Sequence, residues 1–227
     1  MDDITLWQGD CLELMKNIPD CSIDLVLTDI PYGEVNCTNT RGPGGLRRLD
    51  KGKADIVTFN LDALITELCR VTKGSAYVFC GIEQVSEIRT HFKKSGLTTR
   101  LCIWEKTNPS PMNGQHLWLS GIECCLFGRN KGATFNEHCR NAVFKFPTAK
   151  STLHPTQKPF KLMEYLIKAS SNEGDLVLDC CMGSGTTGAA AKRLGRKFIG
   201  IELEQKYFEI AKRRIDNTQM ALTTELF

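Results

Sequence analysis

Short apolar runs alternate with amphipathic segments along the chain. ITLWQ (4–8), 23–28, 75–80, 99–104, 121–127, DLVLD (175–179) and FIGIE (198–202) are compact and apolar, and they predict strands. Residues 11–17, 60–71, 82–95, 160–171, 186–195 and 204–216 space their apolar positions at helical intervals. In the last of these, Leu203, Tyr207, Ala211 and Ile215 recur every four residues and leave Lys212, Arg213 and Arg214 mostly outside. Strand–helix alternation predicts a doubly wound, mostly parallel α/β sheet in one domain covering 1–227. Two stretches escape the pattern, 33–56 and 105–120 with 128–153. They are polar, contain Gly and Pro, and read as loops or insertions at strand ends, where specificity is built in such folds.

Bulk properties narrow the class further. The 227 residues suffice for a sizeable core without staples. No window approaches the ~20 apolar residues of a bilayer span, and the start, MDDITLWQGD, lacks the basic and apolar parts of a secretory signal. The expected location is the cytoplasm. The eleven cysteines show no C-x-x-C spacing and lie largely in apolar runs, so they read as reduced, buried thiols and no metal site is expected. A net charge of +3 says little, but its distribution says more. RGPGGLRRLDKGK carries Arg41, Arg47, Arg48, Lys51 and Lys53 against Asp50 alone. This mobile basic loop within 34–56 is either a solvated surface loop or a phosphate-contacting one beside a site.

DLVLDCCMGSGTTGAAAKRLGRKFIGIE reads as strand, glycine loop, helix and strand. Glycines admit close backbone approach to a ligand, and a helix start offers unpaired N–H groups. Glu202 lies nineteen residues after Gly183, where a carboxylate at a strand end can take both hydroxyls of a ribose. GSGTTG also satisfies the G-x-G-x-x-G pattern of a nicotinamide-dependent dehydrogenase. Asp179 favours a different ligand. An acid just before the loop would repel a pyrophosphate and suits one carrying an ammonium, such as S-adenosylmethionine.

A second strand ends in TDIPYG, residues 28–33. The exocyclic amine of adenine or cytosine is a poor nucleophile because its lone pair is delocalised. Two acceptors at its two N–H groups turn the nitrogen toward tetrahedral geometry. Asp29 supplies one acceptor and the Ile30 carbonyl the other. Pro31 fixes the turn, and Tyr32 offers a face for a flipped base. If only the carbonyl of residue 30 matters, Ile30→Pro preserves activity.

These motifs together resemble the amino-group (adenine-N6/cytosine-N4) DNA methyltransferase family, in the order that places the acceptor motif before the cofactor motif. WQGDCLELMKNIPDCSIDLVLTDIPYG resembles its start, HPTQKP (154–159) its loop before the cofactor strand, and DCCMGSGTTG…KRRI its C-terminal half. The likeness covers roughly 4–33 and 150–216. It implies a Rossmann-like methyltransferase sheet with a small target-recognition insertion at about 106–150. It also implies S-adenosylmethionine as cofactor, double-stranded DNA as partner, base flipping, and a bacterial or phage-infected cell with a restriction-modification setting.

On that resemblance Asp29, Ile30, Pro31 and Tyr32 form the acceptor site. Asp10 and Cys11 contact the cofactor adenine, and Glu202 with Leu203 holds the ribose. Asp179, Met182, Gly183, Ser184, Gly185, Thr186 and Thr187, with His154 and Lys158, surround the methionine end, where Asp29 also lies. Asp10 reads equally as a helix N-cap, and Lys158 as a surface lysine before a helix. The family's usual first proline is replaced by Ile30, and its usual phenylalanine near the glycine loop by Cys180-Cys181-Met182. Asp at the first acceptor position favours adenine N6. Cytosine N4, RNA or a protein amide are the alternative acceptors. A homodimer is common in this family. C5-cytosine chemistry is unexpected, because no proline is followed by cysteine. Base-reading candidates in the insertion are Asn108, Asn113, Gln115, His116, Arg129, Lys131 and Arg140.

Overall fold

The computed structural model describes residues 3–32, 60–111, 114–149 and 157–221. The strands are β1 (Ile4–Gln8), β2 (Ile23–Asp29), β3 (Thr72–Cys80), β4 (Thr98–Lys106), β5 (Ile122–Arg129), β6 (Val143–Phe146), β7 (Leu176–Asp179) and β8 (Lys197–Glu202). The helices are α1 (Cys11–Met15), α2 (Leu61–Val71), α3 (Val85–Lys94), α4 (Phe160–Ser170), α5 (Thr186–Arg193) and α6 (Gln205–Asp216). A 3-10 turn at Ile82–Gln84 leads into α3.

The strands form one eight-stranded sheet in the order β1-β8-β7-β2-β3-β5-β4-β6. Every neighbouring pair is parallel except the two that β5 makes, with β3 and with β4. The doubly wound, mostly parallel sheet expected from the alternation is therefore present. Strand alternation divides the core. Leu25, Leu27 and Phe79 face α4, α5 and α6, while Val26, Ile30 and Val78 face α2 and α3.

From β7 the chain crosses through α5 to β8 on one side, and from β2 through α2 to β3 on the other. The two crossovers diverge between β7 and β2, which are neighbours in register at Leu25/Val177 and Val26/Leu178. This is the topological switch point, the position where open α/β sheets bind ligands at their strand carboxyl ends. Asp29 and Asp179 end the two strands that flank it.

One expectation needs correction. The stretch 128–153, read as loop-like, contains β6 at Val143–Phe146, which pairs in parallel with β4. The Trp104 indole N–H donates to the Phe146 carbonyl at 2.9 Å and ties the two strands. Four residues, VFKF, at the sheet edge carry too short a pattern to stand out from polar surroundings.

Candidate active site

The acceptor turn is held by its strand neighbours. Ile30 N–H donates to the Phe79 carbonyl at 3.2 Å, and its side chain is buried in the core. Gln84 Nε2 donates to the Pro31 carbonyl at 3.0 Å. The side chain of residue 30 is therefore not free to vary. Proline would lose both the N–H bond and core packing.

Around Asp29 lies a compact set of charges. Lys158 Nζ stands 2.5 Å from Asp29 Oδ2 and 3.0 Å from Glu123 Oε2. Lys106 Nζ takes the other oxygen, Glu123 Oε1, at 2.9 Å. The Tyr32 hydroxyl lies 2.9 Å from Asp29 Oδ1 and 3.1 Å from Glu123 Oε2, so its single proton serves one carboxylate at a time. It also accepts from Lys158 Nζ at 3.0 Å. The ammonium sits 5.2 Å from the ring centroids of both Tyr32 and Phe79. Lys158 keeps only 6% of its side-chain exposure while Asp29 keeps 27%, so a ligand can still reach the carboxylate.

These contacts set the charge states. Burial pushes the Asp29 carboxyl above its usual range and Lys158 opposes it. Burial also acts on Glu123, but Lys158 and Lys106 overcome it and hold this carboxyl at about 2. Burial disfavours the Lys158 ammonium, yet Asp29 and Glu123 together raise its pKa. Burial and then the two carboxylates push the Tyr32 phenol well up, so it is neutral. Lys158 is thus a buried cation shared by two acids.

The cofactor half adjoins this set. Gly183 and Gly185 adopt left-handed φ values of 51° and 74°. Glu202 Oε2 accepts from Gly183 N–H and Oε1 from Glu204 N–H, each at 2.9 Å. Asp10 caps α1, accepting from Leu12 N–H at 2.8 Å and Glu13 N–H at 3.3 Å. β1 and β8 end together, since Gly9 N–H donates to the Glu202 carbonyl at 2.9 Å. The Asp10 and Glu202 carboxylates therefore stand on adjacent strand ends beside the glycine loop, an arrangement that fits a ribose and adenine. Leu203 follows, about half exposed. Cys11 is half-buried beside the Cys180-Cys181 pair.

Asp179 is 3% exposed and turns inward under this loop. It accepts from Thr28 Oγ1 at 2.8 Å and Cys181 N–H at 3.1 Å. Burial, its largest influence, lifts the Asp179 carboxyl to about 7. Met182 is buried, with its N–H on the Ile201 carbonyl at 2.9 Å. Ser184 Oγ reaches Gln157 Oε1 at 3.3 Å, Thr186 Oγ1 accepts from Arg214 at 2.8 Å, and Thr187 packs on Met163.

Asp29, Ile30, Pro31, Tyr32 and Lys158 thus come together as one group, and Asp10, Cys11, Asp179, Glu202 and the 182–187 loop as a neighbouring one. Lys158 binds the acceptor carboxylate rather than standing on the surface. His154 and the basic residues Arg41, Arg47, Arg48, Lys51 and Lys53 lie outside the described residues, as does Asn113. Arg129 ends antiparallel β5 and Lys131 follows it, at the end of the sheet opposite Asp29, and Lys131 lines a 290 Å³ cavity with Asp24 and Lys73. The sequence reading missed Glu123 and Lys106. The signal for Glu123 was a lone acid at the head of the apolar strand IECCLF. Among the described residues no cluster suited to a metal ion occurs.

A doubly wound sheet with an acidic acceptor turn and a glycine loop on the two strands of its switch point defines a methyltransferase of the Rossmann-like class. The N6/N4 family model, described as DNA methylase, matches residues 23–213. The chain belongs to this DNA methylase family. It is 29% identical over 242 residues to the type II methyltransferase M2.LlaDCHI of Lactococcus lactis subsp. cremoris, covering 95% of this chain and 90% of that one. It is 33% identical to the type II methyltransferase M.HinfI of Haemophilus influenzae, covering 93% and 68%. Its fold is similar to the crystal structure of the M1.HpyAVI–SAM complex, with a TM-score of 0.73, 30% identity, and 94% and 99% coverage. The PvuII cytosine-N4-specific DNA methyltransferase shares the fold, with a TM-score of 0.74 at 20% identity over 96% and 90%.

Proposed function

We propose that the chain transfers a methyl group from S-adenosylmethionine to the exocyclic N6 amine of an adenine flipped out of duplex DNA. The observation that carries this reading is Asp29 at the switch point, one strand away from the glycine loop and hydrogen-bonded to a tyrosine that can stack a base. Bound S-adenosylmethionine supplies a sulfonium methyl, which the amine nitrogen takes as the carbon–sulfur bond breaks, leaving S-adenosylhomocysteine. The protein's part is orientation. Asp29 and the Ile30 carbonyl each accept one amine N–H and free the lone pair. In the structure Tyr32 holds the Asp29 oxygen that the amine needs, so the base displaces the hydroxyl and takes the ring as its stacking face. The extra amine proton passes to Asp29 or to solvent after transfer. Much of the rate gain comes from alignment. Asp10 and Glu202 hold the cofactor's adenosine, and the 182–187 loop its amino-acid end.

Two stretches of the chain suit contact with a duplex. The basic residues Arg41, Arg47, Arg48, Lys51 and Lys53 follow the acceptor turn in the chain and suit phosphates. The loop between β4 and β5 rises beside the site, rooted in Lys106 and Glu123, and presents Trp118 fully exposed. It is one part of the target-recognition insertion expected at about 106–150, whose other residues include β5 and β6 of the sheet. Leu101, Ile122 and Val143 are exposed on β4, β5 and β6 and offer the apolar surface for a homodimer. Among the described residues no helix is long and apolar enough to cross a membrane, in keeping with an enzyme of the bacterial cytoplasm.

Nucleoside mass spectrometry of DNA incubated with the protein and S-adenosylmethionine tests the reading. N6-methyladenine is expected. N4-methylcytosine assigns the other acceptor, and methylation of RNA alone rejects DNA as substrate.

A further inference from the structure

The charges around Asp29 form a chain of four drawn from four parts of the sequence, Asp29, Lys158, Glu123 and Lys106, in the order of their contacts. Two of them, Glu123 and Lys106, belong to neither motif that defines the acceptor and cofactor sites. Their arrangement has a chemical consequence. An acceptor carboxylate works only when ionised, because a protonated Asp29 would offer the amine a donor where it needs an acceptor. The site works against ionisation. Asp29 is surrounded by Phe79, by the Cys80 and Cys125 thiols on β3 and β5, by the Glu123 carboxylate, and by Asp179 under the neighbouring loop. Lys158 is the one cation in direct contact with Asp29 among the described residues. It is buried, with its ammonium between two aromatic rings.

Glu123 explains why the ammonium stays there. A buried lysine with one carboxylate has a free choice of rotamer around it. Here Glu123 Oε2 gives the ammonium a second carboxylate contact at 3.0 Å, while Oε1 is anchored by Lys106 at 2.9 Å. The same Glu123 oxygen can receive the Tyr32 hydroxyl proton at 3.1 Å. When a base displaces Tyr32 from Asp29, the tyrosine therefore keeps an alternative partner.

We propose that Lys158 and Glu123 are positioning residues for methyl transfer: Glu123 anchors the Lys158 ammonium, and the ammonium keeps the Asp29 carboxylate charged and aimed at the target amine. This rests on the adenine-methylating reading above but adds residues and a pH dependence to it. Removing the ammonium leaves only the Tyr32 hydroxyl to offset burial and the nearby acids, so Asp29 binds its proton at higher pH. Glu123 acts through Lys158, so its loss matters little once Lys158 is gone.

The experiment is single-turnover methylation of a duplex by the full chain, from pH 6 to 9, with S-adenosylmethionine affinity and melting temperature measured alongside. Lys158→Met is expected to slow transfer at neutral pH by about a hundredfold and move the acid limb up by about one unit. Cofactor affinity should change less than about threefold. Lys158→Arg, which keeps the charge, should leave the acid limb near that of the parent. Glu123→Gln is expected to slow transfer about tenfold with cofactor affinity unchanged, and the double variant to be no slower than Lys158→Met.

An unmoved acid limb in Lys158→Met overturns the proposal. So does a rate loss matched by lost cofactor affinity, which would place Lys158 in the cofactor site, or additive losses in the double variant. If Lys158→Met does not fold, the acid limb and cofactor affinity of Lys158→Arg and Glu123→Gln decide. Glu123→Gln at parental rate refutes the positioning role. All these outcomes leave the parent methylating adenine. If the parent itself yields no N6-methyladenine, the functional reading fails instead.

Discussion

Asp179 shows at a single residue how a site stores cost. Its carboxylate is buried under the glycine loop, accepts from Thr28 Oγ1 and Cys181 N–H among others, and is lifted by burial to about 7. Its folded pKa is raised above the unfolded value near ~3.9. The stability tied to its proton is therefore full below that unfolded value and is lost as pH rises through about 7. Asp179→Asn keeps an acceptor oxygen and removes the charge. We expect it to melt higher than the parent at pH 8, to keep roughly half of that advantage at pH 5.5 and to lose it by about pH 4, as thermal melts across this range will show. Ile30 is a second case. The sequence permits proline there, but the structure shows a donated N–H and a buried side chain. Ile30→Pro is expected to destabilise the fold by about 2 kcal/mol or more. It should still methylate at a temperature where it remains folded, since the carbonyl is retained. Denaturant melts and single-turnover rates separate the two effects.

Among the elements, the long periodic ones were legible in the sequence. The six helices and the strands other than β6 fall where apolar spacing puts them, because each buries one face or one run against a single sheet. β6 was not legible, because four residues at an edge carry only two periods of alternation. The glycine loop was legible as a cofactor turn, but the reason for one of its glycines was not. A Cβ on Gly185, where φ is 74°, would come within 2.9 Å of Ala211 on α6. The loop is tight because a helix from the far end of the chain lies against it. Gly185→Ala is expected to lower the melting temperature and weaken S-adenosylmethionine binding together, read by calorimetry with and without the cofactor.

Across the whole molecule, function rests on contacts between distant chain segments. Tyr32 and Glu123 lie 91 positions apart, and Asp29 and Lys158 lie 129 apart. TDIPYG announced an acceptor turn because its chemistry is local. Lys158 read equally as a surface lysine, because only the folded sheet brings it to Asp29. The loop between β4 and β5, whose strands carry Lys106 and Glu123, holds the fully exposed Trp118. Trp118→Ala is expected to weaken duplex binding about tenfold, without changing cofactor affinity or melting temperature, in fluorescence anisotropy with a labelled duplex. The most direct test of the central claim, that the strand-end turn at Asp29 orients the adenine amine for methyl transfer, is Asp29→Ala in single turnover with S-adenosylmethionine binding measured on the same preparation. The account predicts loss of N6-methyladenine formation by at least about a thousandfold, with cofactor affinity within a few-fold of the parent. Methyl transfer at the parental rate would contradict it.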